Sequence, residues 1–85
     1  MFLGEIMISG CVLIRTEHGK FEEVAKRLKQ FKEVKEIFPV HGRFDVVVDV
    51  EASDYESLGT TITRFNRMAG VVFTETALEV KTKEA

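Results

Sequence analysis

The chain has 85 residues, 45% apolar and 31% charged, with Lys and Arg numbering 12 against 14 Asp and Glu. That length holds one core and excludes a two-domain enzyme, and its composition is that of a folded domain rather than a disordered tail. A net charge of −2 gives no basic excess for a phosphate backbone, and a single cysteine excludes an internal disulfide framework or a CxxC centre.

The elements follow in chain order. Residues 6–14 (IMISGCVLI) are apolar, but Glu5 precedes them, no basic residue does, and the run is too short to span a bilayer. They read as a buried strand of a cytoplasmic protein, over residues 7–16, with residues 1–6 as an extension ahead of it. From Lys20 the period changes. Phe21, Val24, Ala25, Leu28 and Phe31 make one apolar helix face, while Glu22–Lys26 and Glu23–Arg27 are spaced to pair on the other. Residues 34–40 (VKEIFPV) alternate as a strand, and Pro39, which cannot donate to a ladder, assigns it to an edge. His41-Gly42-Arg43 then turns the chain into a strand over residues 44–51, a hairpin in which Gly42 is free to take a positive φ.

Ser53 and Glu56 have capping-box spacing, ahead of a second helix whose apolar face is Tyr55, Leu58, Ile62, Phe65 and Ala69. Gly70 is placed to end that helix. Residues 71–80 (VVFTETALEV) form the last strand and residues 81–85 a solvated tail. The order β-α-β-β-α-β predicts a single α+β domain over residues 1–85, with its core at about 7–80. It is a ferredoxin-like sandwich: a four-stranded antiparallel sheet, first and third strands central, with both helices on one face.

Such a sheet has an uncovered face, and the pattern does not make it polar. In the first strand Cys11 and Leu13 oppose Val12 and Ile14. In the third, Val47 lies opposite Phe44, Val46, Val48 and Val50, and Ile37 and either parity of the fourth strand add to the open side. Contiguous apolar surface on so small a domain predicts a homo-oligomer, most simply a two-fold dimer.

No constellation of catalytic residues is evident, so the chain is not expected to be an enzyme. His18 and His41 are loop residues and neither has metal-ligand spacing with Cys11, so no metal site and no cofactor is predicted. The segment that invites a functional reading is His41-Gly42-Arg43-Phe44-Asp45. Backbone N–H groups of a tight glycine turn can take a carboxylate, and Asp45 can take an ammonium group, the two needs of free amino-acid recognition. The same residues also fit a plain hairpin, with Gly42 permitting the turn and Asp45 capping its own main chain.

Four segments in order carry a resemblance: Thr16–Lys20 (TEHGK), Val34–Val40 (VKEIFPV), Gly42–Asp45 (GRFD) and Gly70–Thr76 (GVVFTET). Over about residues 11–80 the chain resembles the effector-binding domain of the Lrp/AsnC (leucine-responsive, feast/famine) transcription regulators. The resemblance implies the same βαββαβ fold, dimers made through the sheets, and rings of dimers with an amino-acid effector bound between them. It also implies ligand-binding positions at His41, Gly42, Arg43 and Asp45, joined by Thr74 and Thr76 of the last strand.

Full-length members carry a helix-turn-helix ahead of this domain. With only about ten residues before the first strand, the chain reads as the stand-alone form: no direct nucleic-acid contact, no membrane, and full-length relatives as partners. The rival readings are a ligand-free oligomerisation module, an ACT-like regulatory module, and a small dimeric α/β-barrel enzyme. The last needs an acid or histidine in the sheet–helix cavity, where His41 is poorly placed.

Overall fold

The computed structural model describes residues 4–84, with side chains described over residues 7–79. The elements are β1 (Gly4–Thr16), α1 (Phe21–Leu28), β2 (Val34–Pro39), β3 (Val46–Ala52), α2 (Tyr55–Asn66) and β4 (Val71–Glu84). They make one antiparallel sheet in the order β2-β3-β1-β4, the ferredoxin-like α+β arrangement with the first and third strands central.

Strand parity decides the core. The even residues of the central strands (Ile8, Val12 and Ile14 of β1, Val46, Val48 and Val50 of β3) lie under the helices, each at most 2% exposed. Val24 and Leu28 of α1 and Leu58 and Phe65 of α2 close over them. Phe31 meets Phe65 edge-on with ring centroids 5.0 Å apart. Gly10 lies mid-strand in β1 without a side chain, and β4 uses that space. A Cβ there would run into the Ala77 carbonyl oxygen and come within 2.7 Å of Leu78 Cδ2.

α1 follows Gly19, whose φ of +80° lets the chain turn into the helix. Glu22 and Glu23 sit in its first turn and Lys26 and Arg27 in its last, the polarity that complements the helix dipole. Glu23, rather than Glu22, makes the surface pairs, at 3.4 Å from Lys20 and 3.8 Å from Arg27.

Several sequence expectations are corrected. β1 begins at Gly4 rather than residue 7, and residues 81–84 are not a tail but the end of β4, with Glu84 opposite Gly4. Residues 1–3 and 85 lie outside the described residues. α1 stops at Leu28, so Phe31 packs from the following turn. Asp54, not Ser53, caps α2: its extended backbone aims Oδ1 to accept from the Ser57 N–H at 2.7 Å. Tyr55 is 58% exposed and Ala69 is also exposed, while Thr61 is buried beside Leu58 and Phe65. α2 ends at Asn66, and Gly70 (φ +93°) shapes the turn into β4 instead of capping the helix.

Ile37 is not on the open face. A bulge between Val34 and Glu36 puts three residues of β2 against two of β3, so Val34 (opposite Val50) and Ile37 (opposite Val48) share the helix side. In β4 it is the odd residues that share the open face with Leu13 and Val47, because Glu75 pairs with Leu13 and Ala77 with Cys11.

Candidate ligand-binding site

The connection between β2 and β3 is drawn tight by its backbone. Val40 N–H donates to the Asp45 carbonyl at 3.0 Å, and Asp45 N–H donates to the Ile14 carbonyl at 2.9 Å. Gly42 has a φ of +122°, a conformation that side chains resist, and a Cβ there would meet nothing within 4 Å. The glycine is therefore needed for backbone conformation and not for space.

Asp45 is committed to the fold. Its Oδ2 accepts from the Thr16 N–H at 2.8 Å and from the Thr16 hydroxyl at 3.3 Å. The sequence leaves it either capping its own turn or facing a ligand, but it holds the end of β1 instead. That point sits where the β1–β4 register shifts between Arg15 and Thr16. A carboxylate has about four acceptor positions, so the second oxygen retains capacity for a ligand.

Beside the turn a cavity of about 220 Å³ is lined by Phe21, Pro39, Val40, His41 and Asp45. Its walls come from two stretches separated in the chain, the first residue of α1 and the end of β2 with the turn that follows it. Of the sequence-identified positions, His41 and Asp45 line it. Gly42 and Arg43 are exposed neighbours in the same turn. Thr74 and Thr76 do not join them within one protomer: they sit on β4, across β1 from β3, and the Thr74 hydroxyl donates to Asn66 Oδ1 at the end of α2.

Sequence reasoning missed Phe21, Pro39 and Val40 as lining residues. Phe21 has the i, i+3, i+4 spacing of a core position, and nothing local distinguishes a ring that is half core and half cavity wall.

A second depression, of about 300 Å³, lies on the open face and includes Ser9, Cys11, Lys35, Asp49, Glu51 and Glu79. There the Cys11 thiol donates to Asp49 Oδ1 at 3.4 Å. That hydrogen bond, then burial, then the charges of Asp49 and Glu79 raise the thiol above its ordinary value. A thiol held protonated is a poor nucleophile. Among the described residues, no group of three or more His, Cys, Asp or Glu is placed to hold a metal ion. Also among them, no helix is long and apolar enough to cross a membrane.

The sheet order β2-β3-β1-β4 with both helices on one face is that of a ferredoxin-like α+β domain, and comparison with known proteins gives its family. The family model for the Lrp/AsnC ligand binding domain matches residues 9–84, and the chain belongs to that family. A transcriptional regulator of the helix-turn-helix type, FL11 from Pyrococcus abyssi, is 31% identical over 71 residues, which cover 84% of this chain and 47% of FL11. The chain thus spans about half the length of the curated relatives it matches.

Among solved structures, FFRP-DM1 superposes with a TM-score of 0.82 at 32% identity, covering 85% of this chain and 97% of that one. The hypothetical protein PHS023 from Pyrococcus horikoshii gives 0.80 at 32% identity, covering 85% and 88%. NMB0573 from Neisseria meningitidis, a transcriptional regulator solved as a complex with L-Met, shares the fold at a TM-score of 0.75 and 16% identity, covering 87% and 50%. Of these, FL11 and NMB0573 are transcriptional regulators.

Proposed function

We propose that this chain is an oligomeric amino-acid sensor that modulates transcription regulators of the Lrp/AsnC type without itself binding DNA. The observation that carries the reading is the cavity at the β2–β3 turn, where the Asp45 carboxylate, the His41 side chain and an apolar wall of Phe21, Pro39 and Val40 meet. Asp45 takes the ammonium group through its second oxygen, and the backbone N–H groups about Gly42 and Arg43 take the carboxylate. The methionine complex of the Neisseria neighbour supports an amino acid as the class of ligand.

The open sheet face supports self-association. Leu13 and Val47 are half-buried there, Phe38 is 41% and Phe73 51% exposed, and Phe44 stacks on Phe73 with centroids 6.0 Å apart. Two copies meeting through this face form the dimer, and a ring of dimers brings Thr74 and Thr76 of one protomer toward the turn of another. A ligand bound between dimers favours the ring by its differential affinity for ring over dimer. The net charge of −2 supplies no basic excess to hold a phosphate backbone.

The test is calorimetry with a panel of amino acids on wild type and Asp45→Asn. Asparagine keeps an oxygen for Thr16 and loses the charge. At least a tenfold loss of affinity with an unchanged oligomer is expected; unchanged affinity removes Asp45 from the site. If no amino acid binds an intact oligomer, the chain is a ligand-free oligomerisation module, the reading that the open apolar face alone favours.

A further inference from the structure

We propose a second ligand site, for a free dicarboxylic amino acid such as glutamate, at the far end of α1 from the turn. It uses none of the residues of the turn cavity and does not depend on it. A depression of about 420 Å³ is lined there by Gln30, Phe31, Lys32, Glu33 and Arg64. Two cations stand with one carboxylate, a local positive balance on a chain whose net charge is −2. Glu51 and Glu56 border the neighbouring depressions and not this one.

The cations are available, and one of them is held in place. Among the described residues the ion pairs join Glu23 to Lys20 and Arg27, and neither Lys32 nor Arg64 is in one. Arg64 Cζ lies instead over the Phe31 ring, 5.3 Å from its centroid. That ring meets the fully buried Phe65 edge-on. The core thus positions Phe31, and Phe31 positions the guanidinium. A guanidinium stacked on a ring keeps its N–H fork at the edge, free for a bidentate carboxylate. The main chain beneath is also pinned. Gln30 and Phe31 N–H groups donate to the Arg27 and Leu28 carbonyls, and the Glu51 N–H donates to the Glu33 carbonyl at 2.8 Å.

Glutamate carries two carboxylates and one ammonium group, the mirror of a lining with two cations and one carboxylate. Arg64 takes one carboxylate through its fork, Lys32 takes the other as a point charge, and half-buried Glu33 takes the ammonium group. A ligand without the second carboxylate leaves one cation unmatched. A ligand without the ammonium group sets its carboxylates beside Glu33 with nothing to offset the like charge. Selectivity therefore follows charge count and weakens as salt screens the lining.

Calorimetry on the full chain with glutamate, glutamine and glutarate reads the assignment. Glutamate should bind at least tenfold more tightly than glutamine, which has one carboxylate, and more tightly than glutarate, which has no ammonium group. Arg64→Gln should weaken glutamate at least tenfold, and Arg64→Lys should weaken it less. Glu33→Gln should weaken glutamate and strengthen glutarate, opposite changes that a damaged fold would not produce. Equal affinities for glutamate and glutamine overturn the proposal, as does wild-type affinity for glutamate in Arg64→Gln. Glutamate binding lost in Asp45→Asn and kept in Arg64→Gln places the acid at the turn, which overturns the second site and preserves the sensor reading. Absence of glutamate binding at millimolar concentration overturns the second site alone, since the turn cavity is read by its own ligands.

Discussion

Val47 and Val48 are neighbours on one strand and live in different worlds. Val48 is fully buried under the helices, with Val12 opposite it and Ile37 beyond. Val47 points the other way, opposite Leu13 and Phe38, toward a face that no described element covers. The helix side is completed by this chain's own contacts. The open side carries apolar residues of similar kind with no described helix over them. What separates the faces is therefore the helices' reach more than the strands' composition.

The sharpest way to break this contrast is to damage each face in turn. Phe65→Ala removes a fully buried ring that also holds Phe31. It should cost about 3–5 kcal/mol of a total near 4–13 kcal/mol, read as a large fall in the urea midpoint. Leu13→Glu on the other face, at a half-buried position opposite Glu75, should cost the monomer only about 1 kcal/mol. Light scattering should nevertheless show the assembly falling to single chains. A wild-type chain that is monomeric at high concentration would erase the distinction.

A smaller effect is chemical. Cys11 lies exposed on the open face with its thiol held protonated by Asp49. Its alkylation should slow as protein concentration rises and that face is covered. Asp49→Asn should speed alkylation of the diluted chain by lowering the thiol toward its ordinary value. Equal rates in both proteins would show that the hydrogen bond does not govern the thiol.

The smallest effect concerns a surface cap. N–H donation from Ser57 holds the Asp54 carboxyl below the usual carboxylate range. A depressed folded-state value means that the contribution is present above about pH 4 and lost as pH falls through the folded value. Asp54→Ala should therefore lower the melting temperature slightly at neutral pH, and the gap from wild type should close in acid. A gap that persists at low pH would assign the effect to something other than the charge.

The order of elements and the central pair of strands were legible because each rests on local signals: a change of hydrophobic period, Pro39 near an edge, Gly42 in a turn. Where two chain-adjacent residues competed, local pattern failed. Ser53 and Asp54 both suit a cap, and the one with extended backbone and correct reach won. Parity in β2 was illegible because a bulge at Lys35 breaks the alternation from which faces are read. The site was half legible. The turn residues form a contiguous motif, whereas Phe21 reaches the cavity only through packing, and Asp45 meets Thr16 29 positions away.

The pairing of Gly4 with Glu84 closes the described chain almost into a circle. β1 meets β4 along nearly its whole length, yet β4 is the last element made. The contacts that complete the sheet therefore span the longest loops the chain can form, and their closure entropy is met only near the end of folding. A nascent chain would hold α1, β2, β3 and α2 in place against a half-paired β1. Until β4 arrives, that strand presents its free edge to any other copy nearby.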